Sequence, residues 1–101
     1  MSDIMSEDFD AETKSGIQYV TECINDQAII RGIRLDNIEW KKDPRGDKHV
    51  VESSITYHGH TADQWFTKEQ LIHCKPGEAK EYKAVYDVSV KIESLFLHLG
   101  L

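Results

Sequence analysis

Residues 77–100 place the tightest constraint on what this 101-residue chain can fold into. Lys80, Lys83, Asp87, Lys91, Ser94 and His98 recur at steps of three and four, which on a helix gathers them into one polar stripe. The rest of the circumference is apolar and includes Tyr82, Val85, Val88, Ile92, Leu95, Phe96 and Leu99. A strand competes over residues 84–93. Tyr86, Val88, Val90 and Ile92 alternate with Asp87, Ser89, Lys91 and Glu93, and valine favours strands. Length decides for a long C-terminal helix, because the alternation lasts eight residues and the stripe spans nineteen. The ends agree: Pro76-Gly77 punctuates the start, Glu78 and Glu81 sit in the first turn, His98 sits in the last, and Gly100 can take the left-handed terminal position. A helix this apolar, buried on one side only, leaves Tyr86, Val90 and Leu97 as surface for a second copy or another partner.

Upstream, the pattern reads as strands. Ile17 to Ile24 is the first, Asn25-Asp26 a turn, and Gln27 to Leu35 the second, with Gly32 as a bulge. Ile38 to Lys42 continues a ribbon. Asp43-Pro44-Arg45-Gly46 has the residues of a type I turn in their preferred places. Lys48 to Tyr57 and His60 to Phe66 then pair across a tight His58-Gly59 turn. Thr67-Lys68-Glu69-Gln70 fits a capping box, with Phe66 and Leu71 at the positions of a hydrophobic staple, and a short helix from Lys68 to about Cys74 follows. The expectation is an α+β domain: an antiparallel β-meander of about five strands packed by the C-terminal helix, with one short capped helix before it.

The formal net charge of −6 is unevenly spread. Residues 1–12 carry Asp3, Glu7, Asp8, Asp10 and Glu12 and no basic residue, which leaves residues 13–101 at −1. This predicts an acidic flexible tail over residues 1–15, on which Met5 and Phe9 are candidate docking groups, and a single domain over residues 16–101. No apolar run approaches the ~20 residues of a membrane helix, and no basic-then-apolar leader opens the chain. Cys23 and Cys74 do not make a disulfide framework and suit a reducing, cytoplasmic setting.

Few residues invite chemistry. His58, His60, His73 and Cys74 are the only cluster with metal-ligand character, but His73 and Cys74 point about 100° apart on a helix and His58 and His60 fall on opposite arms of a hairpin. No metal, cofactor or catalytic set is therefore expected. The ribbon carrying Arg31, Arg34, Lys41, Lys42, Arg45 and Lys48 around Trp40 has the ingredients of a single-strand nucleic-acid surface, diluted by four acids. The favoured alternative is a non-catalytic protein-binding module, such as an inhibitor or accessory subunit of a larger complex. Trp40, Arg45 and Trp65 serve there as anchors, and Tyr86 and Val90 form the exposed helix face, which also suits a homodimer.

Overall fold

Ala11–Ile30 is helical, not stranded. The computed structural model describes residues 9–74 and 82–101. It opens with a 20-residue helix α1 (Ala11–Ile30) where two strands were expected. Ile17, Val20, Thr21, Ile24 and Ala28 are all buried at steps of three and four, and Asn25-Asp26 is simply its solvent side. Asp10 caps the helix, its carboxylate accepting the Thr13 N–H at 2.8 Å. That bond is the main reason the Asp10 carboxyl lies below its usual range. Phe9 is buried and residues 11–15 belong to α1, so this part of the expected 1–15 tail is packed structure. Residues 1–8, including Met5, lie outside the described residues.

Gly32 is a helix stop, not a bulge. With φ at 73° it lets its own N–H reach the Ile29 carbonyl and the Ile33 N–H reach the Ala28 carbonyl, which is a Schellman motif.

A three-stranded antiparallel sheet follows in the order β1 (Asn37–Lys42), β2 (Val50–Tyr57), β3 (His60–Thr67). The first turn is closed by the Gly46 N–H on the Asp43 carbonyl at 2.9 Å. The second is the two-residue His58-Gly59 turn, with both residues at positive φ, the conformation that matches the strands' twist. Register sets the two faces. Ile38, Ile55 and Ala62 form one cross-strand row on the inner face, and Val51 and Phe66 lie further along it. Lys41, Glu52 and Trp65 form a row on the outer face, with Glu39, Ser54 and Asp63 beside them.

The helices cover the inner face. Thr67 opens α2 (Lys68–His73) with a capping box, and Phe66 and Leu71 are both fully buried. The last element is α3 (Tyr82–His98), so the alternating residues 84–93 are helical, and it ends in a second Schellman motif at Gly100. The expected start of this helix, from Gly77 to Glu81, lies outside the described residues. Lys91 ties α3 to the free edge of the sheet, donating to the Trp65 carbonyl at 2.6 Å and to Gln70 Oε1 at 2.9 Å. Burial holds its ammonium pKa below the usual lysine range.

The α1 and α2 backbones approach closely at Gly16. A Cβ on Gly16 would stand 2.5 Å from the Leu71 carbonyl carbon and nearer still to its oxygen. Among the described residues, no helix is long and apolar enough to cross a membrane.

Candidate protein-interaction surfaces

The two tryptophans have opposite fates. Trp40 shares the inner face with Ile38 and is only 2% exposed. Its indole N–H donates to Thr21 Oγ1 at 2.9 Å, and that hydroxyl donates to the Ile17 carbonyl at 2.7 Å. It packs against Phe66 in the core, so it can neither anchor a partner nor stack on a base.

Trp65 is on the outer face and 42% exposed. The Arg45 guanidinium lies 3.9 Å over its ring, the contact of a cation with an aromatic face. Its indole N–H donates to Glu52 Oε2 at 3.0 Å, and Lys41 Nζ pairs with Glu52 Oε1 at 3.3 Å. Arg45 Nε also reaches Asp43 Oδ1 at 3.4 Å, and the buried Asp43 carboxylate accepts the Asp47 N–H at 3.2 Å. Arg45 and Trp65, twenty residues apart in the chain, thus form one surface cluster whose charges are internally matched.

The basic ribbon is dispersed. Arg31 caps the end of α1, pairs with Glu93 at 3.1 Å and covers the Phe96 ring at 4.4 Å. Arg34 is exposed in the following loop. Lys42 and Lys48, joined by Lys68 of α2, border a depression of about 440 Å³ that also holds Asp43 and Asp47. The cations therefore do not share one uniformly basic face.

On α3, Tyr86, Val90 and Leu97 fall within a narrow arc of the helix and are 70%, 48% and 65% exposed. A shallow depression of about 300 Å³ runs along them, with Ser89, Glu93 and Ser94 beside them. A second depression, of about 180 Å³, separates α1 from α3. Tyr19 and Cys23 form its α1 wall, Val85 and Val88 its α3 wall, and Cys74 also lines it. Ser89 and Glu93 border both depressions, which therefore lie side by side.

Tyr19 and Cys23 stand one helical turn apart on α1, side by side on the wall of this depression. Burial first, and the Cys23 thiol second, push the Tyr19 phenol up to about 12. Burial likewise raises the Cys23 thiol above its ordinary value. Neither α1 residue was legible as a surface group from the sequence, because their i, i+4 spacing carries meaning only once the segment is known to be helical.

His58 and His60 sit at the β2–β3 turn, at the opposite end of β3 from His73 and Cys74. Among the described residues, no three His, Cys, Asp or Glu side chains come together in a metal-binding group. No protein-family model matches this sequence, and no curated protein and no solved structure is detectably similar to it.

Proposed function

We propose that this chain is a small non-catalytic protein-binding module, acting as an inhibitor or accessory subunit of a larger assembly, and that α3 carries its contact face. The observation behind this is the row of Tyr86, Val90 and Leu97, three large apolar side chains left in water along one line of one helix. Isolated exposed apolar residues are ordinary, whereas an aligned set rimmed by polar groups marks a contact site. The Arg45–Trp65 cluster on the far face of the sheet is a smaller candidate, since its polar atoms already have partners within the chain.

A photo-reactive benzophenone side chain placed at Val90, in the full chain exposed to lysate of its native host, tests the proposal. The same group at Thr61, exposed on the outer face of the sheet, is the control. A discrete cross-linked product from position 90 and none from position 61 is the expected result. Its mass separates a second copy from a different protein. Equal, diffuse labelling from both positions refutes the assignment of the contact face to α3.

A further inference from the structure

We infer that the depression between α1 and α3, together with its neighbour on α3, is a docking site for a basic amphipathic helix contributed by a different protein. The inference rests on the protein-binding proposal above and names the class of partner.

Shape is the first argument. The two depressions adjoin along Ser89 and Glu93, so a rod-shaped ligand can lie across both. The row from Tyr86 to Leu97 covers eleven residue steps, which at 1.5 Å each is about 16 Å, or about three turns of a docked helix. The two depressions, at about 180 and 300 Å³, fall below and at the lower limit of the ~300–1,000 Å³ of a small-molecule site. A helix that presents apolar residues at i, i+3, i+4 and i+7 matches such a surface, with the α3 row on one side and Val85, Tyr19 and Cys23 on the other.

Charge is the second argument, and it selects the partner. Glu22 and Asp26 are exposed on α1 next to this wall and make no ion pair among the described residues. Burial first, and then the negative charges of Asp26 and Glu22, raise the Cys23 thiol on this wall. Glu93 stands between the two depressions, paired only with Arg31 among the described residues, and its side chain remains 58% exposed. A second copy would bring the same carboxylates to the same rim, which disfavours self-association, whereas lysines or arginines flanking an apolar helical face would meet these acids.

The test uses the full chain and a fluorescein-labelled synthetic peptide of about 18 residues, long enough to span the α3 row with ends to spare. The peptide contains only leucine and lysine, with leucines at helical spacing. A scrambled peptide of identical composition and a leucine/glutamate peptide of identical pattern are the comparators, and fluorescence anisotropy gives each affinity. The patterned leucine/lysine peptide should bind at least about tenfold more tightly than either comparator. Ser89→Trp, which plugs the junction of the two depressions, and Val90→Lys should each weaken that binding about tenfold without changing the melting temperature.

Equal binding of the patterned and scrambled peptides overturns the docking site. Equal or tighter binding of the glutamate peptide overturns the charge assignment. A dimer in sedimentation that Val90→Lys dissolves makes the second copy the occupant and also overturns the inference. No binding of any peptide, together with a specific cross-link from position 90, overturns this inference and leaves the protein-binding proposal standing. Failure of both experiments removes both.

Discussion

Gly16→Ala is the substitution on which helix preference and packing disagree most sharply in sign. In an isolated helix, alanine at this position gains about 1 kcal/mol over glycine. In this fold the new methyl carbon meets backbone: it would stand 2.5 Å from the Leu71 carbonyl carbon, where ordinary contact begins at 3.4 Å. No rotamer change relieves a clash with main chain, so α1 and α2 must part by about 1 Å, and a gap of that size forfeits about a quarter to a half of each contact's attraction. Ile17 and Val20, on the same face of α1, are fully buried, and each contributes about 1.5–3 kcal/mol by burial. Losing part of that, plus the strain of whatever does not move, costs about 3 kcal/mol. After the helix-preference gain the net loss is about 2 kcal/mol, which for a domain of this size lowers the melting temperature by about 8–16 °C. Urea unfolding followed by far-ultraviolet circular dichroism measures it, with the exposed Gln18→Ala on the same helix as a control expected within about 0.5 kcal/mol of the parent. A Gly16→Ala protein as stable as the parent, or more stable, refutes the α1–α2 approach described above.

Other outcomes follow from the same contacts. Thr21→Val leaves the buried Trp40 N–H without its acceptor and should cost about 1–3 kcal/mol in chemical denaturation. Lys91→Met removes two hydrogen bonds from a charged donor that hold α3 to the sheet edge. It should cost about 1–3 kcal/mol and speed amide exchange in α3 more than in α1. Val90→Lys should fold within about 0.5 kcal/mol of the parent, since the side chain is half in water; unfolding of this variant would make Val90 a core residue. For pH, two of the shifted acids act at opposite ends. The native Asp10 carboxyl lies below its ordinary 3.8, so its contribution is present above that value and is lost as pH falls through the native one; Asp10→Ala should flatten the acid limb of the stability profile. The native Tyr19 phenol lies near 12 against an ordinary 10.0, so its contribution is complete below pH 10 and is lost as pH rises towards 12. Among the four tyrosines, the phenolate absorbance should show a late-titrating group that Tyr19→Phe removes.

Turn chemistry was legible in the sequence, whereas a β-branched helix was not. Asp43–Gly46, His58-Gly59 and the Thr67 box each depend on residue types with a fixed local geometry, and each stands where the residues placed it. The α1 segment is rich in isoleucine, valine and threonine, whose local preference leans to strand; tertiary burial of one helical face overrides it. Gly32 carried the signal that could have corrected this. It performs the same chain reversal as Gly100, but after residues that read as a strand the same glycine reads as a bulge. The tryptophans divide for a related reason. Residues 38 and 40 share a face, as do 62, 64 and 66, so period two places Trp40 beside Ile38 inside and Trp65 opposite Phe66 outside. That inference needs the sheet's register, which Trp40 alone does not reveal. The exposed row on α3 was visible from the excess of apolar residues over what one buried side can take, but the groove beside it was not, because its other wall is α1.

The separation of the two indoles makes the molecule its own two-channel optical instrument. Trp40, enclosed beside Phe66 with its N–H satisfied, emits from an environment that changes only when the interior opens. Trp65, lying under a guanidinium at the surface, emits from one that responds to anything touching the outer sheet while the interior stays shut. A ligand on that face would shift one band and leave the other, whereas a helix docked on the α1–α3 side, whose depressions neither indole lines, would touch neither ring.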